Sequence, residues 1–271
     1  MVSTAVVSNK GTRKTVNQDA CCLSVARTPR GEAVMSVVCD GVGGLAHGEV
    51  ASSTVVRSFA SWFRNELPKA ASGGSLALDQ IARTWERMLG ESHSRLVDYG
   101  MRQGMAVGTT FTGVYACEGR YLVAQVGDCR LYLVRDGDAR QMTRDQTFVA
   151  RLVERGELTA QEAACHPFRS MITQAVGVGQ EPCPVFGEGT YEPRDLFVLC
   201  SDGVYRSLDE GGLRNAFLPS APWCDESLRA ACRHIVRRAM RQGEPDNLTV
   251  TCFCLDEDEP PRLCLSGMGG A

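Results

Sequence analysis

Two stretches of this chain run as an apolar, β-type segment straight into an aspartate and a glycine. They are Val37-Val38-Cys39-Asp40-Gly41 and Phe197-Val198-Leu199-Cys200-Ser201-Asp202-Gly203. Such a segment reads as a buried strand, and its end sets a carboxylate at the rim of the core. Asp-Gly is a common turn pair, so one example would say little. Here the pattern recurs. Asp246 stands just before the apolar run Leu248 to Cys254, Asp128 falls between two such runs, and Asp19 precedes Ala20 to Val25. Five aspartates at strand mouths are hard to account for as five independent turns. Brought together, they repel one another unless a cation sits among them. Hard divalent ions such as Mg2+ or Mn2+ take oxygen ligands of this kind. The four histidines show no H-x-x-x-H spacing, which argues against a zinc hydrolase.

The remaining pattern supports one α+β domain. Further strands are expected at Thr4 to Val7, Ala33 to Cys39, Thr110 to Ala116, Tyr121 to Val126 and Leu196 to Cys200. Leu131 to Val134 and Ala139 to Met142 flank Arg135-Asp136-Gly137-Asp138 and read as a hairpin. Helical stripes run through Ala51, Val55, Phe59 and Trp62, through Leu78, Ile81, Trp85 and Leu89, and through Leu228, Ala231, Ile235 and Ala239. Asp225 is expected to cap the third helix and Gly243 to end it. Residues 146–179 read as a polar surface segment of short helices. Ala70 to Ser75 reads as a small-residue linker, and residues 256–271 as a disordered tail.

Composition removes several function classes. A net charge of −3 offers no basic field for nucleic acid. No run of about 18 apolar residues suggests a membrane span, and the first ten residues do not read as a signal peptide. The 13 cysteines are scattered, without a C-x-x-C pair, and several sit in the strand runs. They read as small buried hydrophobes of a cytoplasmic protein. Cys165 and Arg169 lack the C-x5-R spacing of a thiol phosphatase loop.

The ordered set of motifs resembles the bacterial branch of the type 2C (PPM) metal-dependent serine/threonine protein phosphatases. The matching residues are Asn17-Gln18-Asp19, Cys39-Asp40-Gly41-Val42-Gly43-Gly44, Gly48-Glu49-Val50-Ala51-Ser52, Gly108-Thr109-Thr110, Val126-Gly127-Asp128-Cys129-Arg130, Thr143-Arg144-Asp145, Cys200-Ser201-Asp202-Gly203 and Pro245-Asp246-Asn247-Leu248-Thr249-Val250. The resemblance covers about residues 3–255 and implies an α-β-β-α sandwich of two antiparallel sheets, with residues 1–255 as the phosphatase domain. It implies two core Mn2+ or Mg2+ ions bridged by water, with a third, weaker site. Asp40 would bridge both core ions, the Gly41 carbonyl would join one, and Asp202 and Asp246 would hold the other. Asp19 would act mainly through water on the ions. Asp128, with Asp202, matches the third site. Residues 146–179 match the family's flap beside the active site, with Phe148, Leu152, Leu158 and Phe168 packing it down. Implied partners are phosphorylated proteins and a cognate serine/threonine kinase. A monomer is expected, with no nucleic acid or membrane partner. The alternatives are a phosphatase dedicated to one partner and a catalytically inactive phosphoprotein-binding module.

Two positions depart from the family. Where its members place a phosphate-gripping arginine, this chain has Lys14, preceded by Arg13. Lysine lacks the bidentate fork of arginine, so either side chain could serve, and a one-residue bulge would bring Arg13 into place. Where some members carry a histidine as general acid, this chain has Val42, with His47 nearby.

Overall fold

The computed structural model describes residues 1–28, 31–42, 47–71, 77–208, 212–217 and 223–255. Residues 256–271, expected to be a tail, Gly43 and Gly44, and most of the expected linker lie outside the described residues.

Among the described residues, ten strands form two five-stranded antiparallel sheets. One contains β1 (Val2–Asn9), β6 (Arg130–Arg135), β7 (Asp138–Gln141), β9 (Leu196–Cys200) and β10 (Leu248–Leu255), in the order β1-β10-β9-β6-β7. The other contains β2 (Asp19–Thr28), β3 (Gly31–Asp40), β4 (Phe111–Cys117), β5 (Arg120–Val126) and β8 (Val185–Thr190), in the order β2-β3-β4-β5-β8. The helices are α1 (Gly48–Asn65), α2 (Leu67–Ala71), α3 (Leu78–Gln103), α4 (Phe148–Glu154), α5 (Ala160–Cys165), α6 (Asp202–Arg206), α7 (Gly212–Phe217) and α8 (Asp225–Arg241).

Strand periodicity explains the layering. In β3, Ala33, Met35, Val37 and Cys39 pack with residues of α1 and α3, including Val55, Phe59, Ile81 and Trp85. The alternate residues Val34 and Val38 meet Phe197, Leu199 and Phe253 of the opposite sheet. In β10, Leu248, Val250, Cys252 and Cys254 pack with Leu228, Cys232 and Ile235 of α8, while Phe253 faces inward. Both faces of these strands are therefore covered, which is why they read as continuous apolar runs rather than as alternating ones. Phe197 and Phe253, cross-strand partners in one sheet, stack at 4.8 Å on its inner face. A buried polar contact, Ser36 Oγ to Thr251 Oγ1 at 2.7 Å, spans the layer between the sheets. The result is the expected α-β-β-α sandwich.

Several local expectations need correction. The residue before α8 is Cys224, and Asp225 does not cap that helix. Its Oδ1 instead accepts the Thr4 backbone N–H at 2.7 Å, tying α8 to β1. Strand β8 and helices α2, α6 and α7 are not among the expected elements, and Ala70 and Ala71, expected in the linker, close α2. In β8, two glycines and mostly exposed positions on a sheet edge leave no period-2 signal. Helices α6 and α7 span five and six residues, too short for a helical stripe.

Candidate metal centre

Antiparallel pairing brings the five aspartates to one end of the sandwich. Asp19 opens β2 and Asp40 closes β3, and the two are direct cross-strand partners. Asp128 follows β5 and precedes β6, whose first residue Arg130 pairs with Cys200 at the end of β9. Asp202 begins α6 two residues beyond Cys200. Asp246 stands two residues before β10. Chain reversals at this end thus gather carboxylates that are far apart in sequence.

The two sheets are locked together around them by side-chain hydrogen bonds. Ser201 Oγ donates to Asp19 Oδ2 at 2.8 Å and accepts the Thr249 N–H at 3.0 Å. The buried Asn247 accepts the Gln18 N–H at 2.9 Å and donates from Nδ2 to the carbonyls of Lys10 and Val16, at 2.9 and 3.2 Å. Asn247 therefore fixes the loop that carries Lys14. Gly41 is required by close packing: a Cβ there would stand 2.6 Å from the Gly48 carbonyl. Its N–H donates to the Gln18 carbonyl at 3.1 Å.

Burial and mutual repulsion dominate the electrostatics. Burial pushes the Asp19 carboxyl up to about 7, with the Thr249 and Ser201 hydrogen bonds opposing and the charges of Asp202 and Asp246 adding. Asp128 is likewise raised to about 7 by burial and by Asp202, against the pull of Arg206. Asp40 is raised well above the usual carboxylate range by burial, then by Asp19 and Asp202. Asp202 is raised by burial, with Arg206 opposing. A cluster that resists ionisation in this way is one that a multivalent cation relieves.

Two oxygens make that need specific. Asp19 Oδ1 and Asp202 Oδ1 are buried and without a hydrogen-bond partner. An unpaired buried carboxylate oxygen costs on the order of 1–3 kcal/mol or more, and a bound cation removes the cost. Among the described residues, no three Asp, Glu, His or Cys groups already converge on one point as a closed ligand set. Basic side chains engage some of the carboxylates instead. Lys14 Nζ lies 3.0 Å from Asp246 Oδ1. Burial lowers the Lys14 pKa, but the Asp246 contact outweighs it and the net shift is upward. Arg206, four residues after Asp202, contacts both Asp202 Oδ2 and Asp128 Oδ2. The donor set, all hard oxygen atoms with two of them unpaired, fits Mg2+ or Mn2+.

The neighbouring candidates separate clearly. Arg13 is exposed and forms no ion pair with a described residue, so it is Lys14 that reaches the cluster. His47 adopts a left-handed backbone conformation just before α1, and its Nδ1 lies 3.4 Å from Glu49 Oε1 on the surface. The segment 146–179 is tied down beside the cluster at both ends. The Gln146 N–H donates to the Gly127 carbonyl at 3.0 Å, and the Val176 N–H to the Thr109 carbonyl at 2.8 Å. Its packing differs from expectation. Phe148 and Phe168 are exposed, and the buried apolar residues of its helices are Val149 and Ala163. Sequence reasoning missed Arg206 altogether. It also quoted Ser201 and Asn247 only as motif letters, without their task of joining the sheets. The signal for Arg206 was the i, i+4 spacing from Asp202, which has meaning only once α6 is known to be helical.

A four-layer sandwich with an acidic mouth of this composition is the architecture of the metal-dependent protein phosphatases. The chain belongs to the protein phosphatase 2C family, whose model matches residues 9–242. It is 35% identical over 213 residues to the serine/threonine protein phosphatase PstP of Mycobacterium tuberculosis, covering 78% of this chain and 38% of that one. The chain thus spans about two fifths of that relative's length. It is 26% identical over 257 residues to the protein phosphatase PhpP of Streptococcus pneumoniae, covering 94% of this chain and 98% of that one. Its fold matches the catalytic domain of PstP in complex with two manganese ions, with a TM-score of 0.74 and 27% identity, over 94% of this chain and 99% of that one. No helix among the described residues is long and apolar enough to cross a membrane.

Proposed function

We propose that this chain hydrolyses phosphoserine and phosphothreonine in proteins, using two divalent cations held at the mouth of the sandwich. The observation that carries this reading is the pair of buried, unpartnered oxygens, Asp19 Oδ1 and Asp202 Oδ1, inside a five-aspartate cluster. Bound cations supply Lewis-acid charge there, neutralising phosphoryl oxygens and making water more acidic.

The chain's own residues do the rest. Asp40, Asp202 and Asp246, with the Gly41 carbonyl, hold the ions. Asp19 orients water through its second oxygen while Ser201 fixes the first. Lys14 exchanges its contact with Asp246 for one with the substrate phosphate, a point charge rather than a fork. Residues 146–179 flank the mouth and sort protein substrates. The phosphoproteins themselves imply a serine/threonine kinase that makes them, and the relatives named as protein phosphatases support substrates of that class.

The test is hydrolysis of a phosphothreonine peptide and of p-nitrophenyl phosphate with Mn2+, with Mg2+ and with EDTA. Turnover should require metal and be lost in Asp202→Asn, whose circular dichroism should match the parent. Metal-independent turnover, or full activity in Asp202→Asn, would refute the reading.

A further inference from the structure

The space between Asp128 and Asp202 is filled by a guanidinium. Arg206 sits one helical turn after Asp202 on α6, and its Nη1 pairs with Asp202 Oδ2 while Nη2 lies 3.4 Å from Asp128 Oδ2. The Asp128 side chain is only 3% exposed. Its other contact is the Tyr205 hydroxyl, also 3.4 Å from Oδ2. The Arg130 guanidinium lies 3.7 Å over the Tyr205 ring and chelates Asp145 through Nε at 2.9 Å and Nη2 at 2.6 Å. Tyr205 is thereby clamped, and the side of the cluster occupied by Arg206 is walled by a second cation.

Building on the phosphatase reading, we infer that Arg206 is a fixed internal cation that takes the place of a third metal ion, and that it positions Asp202 toward the two core ions. Three physical points lead there. An arginine is protonated at every relevant pH, so its charge is permanent. A divalent ion bound by both carboxylates needs their oxygens at about 2.0–2.6 Å, which is incompatible with a guanidinium already wedged between them. Arg206 also engages only one oxygen of Asp202. The other, Oδ1, is the buried oxygen without a partner. The carboxylate is thus divided, one oxygen turned to the arginine and one left over for a core ion. Asp128, on this account, serves to hold Arg206 and is not a metal ligand.

The experiment counts Mn2+ bound per chain, from the loss of the free-ion electron paramagnetic resonance signal during titration. The parent protein should bind two ions, and Asp128→Asn should still bind two. Arg206→Gln should gain a third, weaker ion that the double variant Arg206→Gln/Asp128→Asn loses again. Should Arg206→Gln show no melting transition, Asp128→Asn decides alone. The inference is overturned if the parent binds a third ion that Asp128→Asn removes, or if a folded Arg206→Gln gains none. A parent that binds no Mn2+ at all overturns the two-cation reading itself, and this inference with it.

Discussion

Lys14 and Arg13 are adjacent in sequence and yet electrostatically unequal. The Lys14 ammonium is already drawn into the cluster by Asp246, whereas Arg13 projects from the surface. Removing a charge-assisted contact to a phosphate costs about 1.5–3 kcal/mol, so Lys14→Ala should raise KM for a phosphopeptide at least about tenfold. Arg13→Ala should leave KM near the parent value, and steady-state kinetics on the two variants decide the matter. The buried acids set a second expectation. Asp19 and Asp128 titrate near 7 in the folded chain, against roughly 4 when unfolded. The folded protein therefore keeps protons that the unfolded chain has lost. The stability these groups contribute is complete below about pH 4 and disappears as pH rises to about 7. Metal-free protein should melt at a lower temperature at pH 8 than at pH 5, and Mn2+ should raise the melting temperature more at pH 8. Calorimetry that showed the metal-free protein gaining stability over this interval would contradict the assignment.

At the level of elements, the long strands and the three long helices were readable because burial on both faces, or a regular stripe, leaves a strong pattern in sequence. The aspartates were readable because each interrupts such a pattern at its end. What escaped was short or local. Arg206 lies on a five-residue helix, and the role of Asn247 depends on a loop more than two hundred residues away in the chain. Residues 146–179 lie mostly at the surface, as expected, but the aromatic residues of this segment were assigned inward because large apolar side chains are usually buried. Phe168 is in fact 53% exposed and Phe148 36%, with their rings 6.3 Å apart in an edge-on arrangement. Surface substitutions of this sort usually change stability by less than about 0.5 kcal/mol. Phe148→Ser/Phe168→Ser should therefore melt like the parent. It should lower kcat/KM for phosphopeptides more than for p-nitrophenyl phosphate, and equal losses on both substrates would remove the flap from substrate sorting.

For the molecule as a whole, stability and activity share one structural cause, since the layer between the sheets sets the spacing of the strand ends. Phe253 is fully buried there against Phe197. Phe253→Ala should destabilise the protein by about 3–5 kcal/mol. Because one apolar layer joins both sheets, denaturant unfolding should stay a single transition, with ellipticity and phosphatase activity lost together. Two separated transitions would mean that the sheets fold independently.

The placement of the aspartates at strand ends from both sheets also bears on how the protein is made. Asp19, Asp40 and Asp128 leave the ribosome well before Asp202 and Asp246. A nascent chain therefore carries three of the five aspartates with nothing to complete the mouth. On the proposed function, cation capture waits for the last strand, so phosphatase activity would arrive only with the finished sandwich, and a chain stalled partway through synthesis would be a silent one.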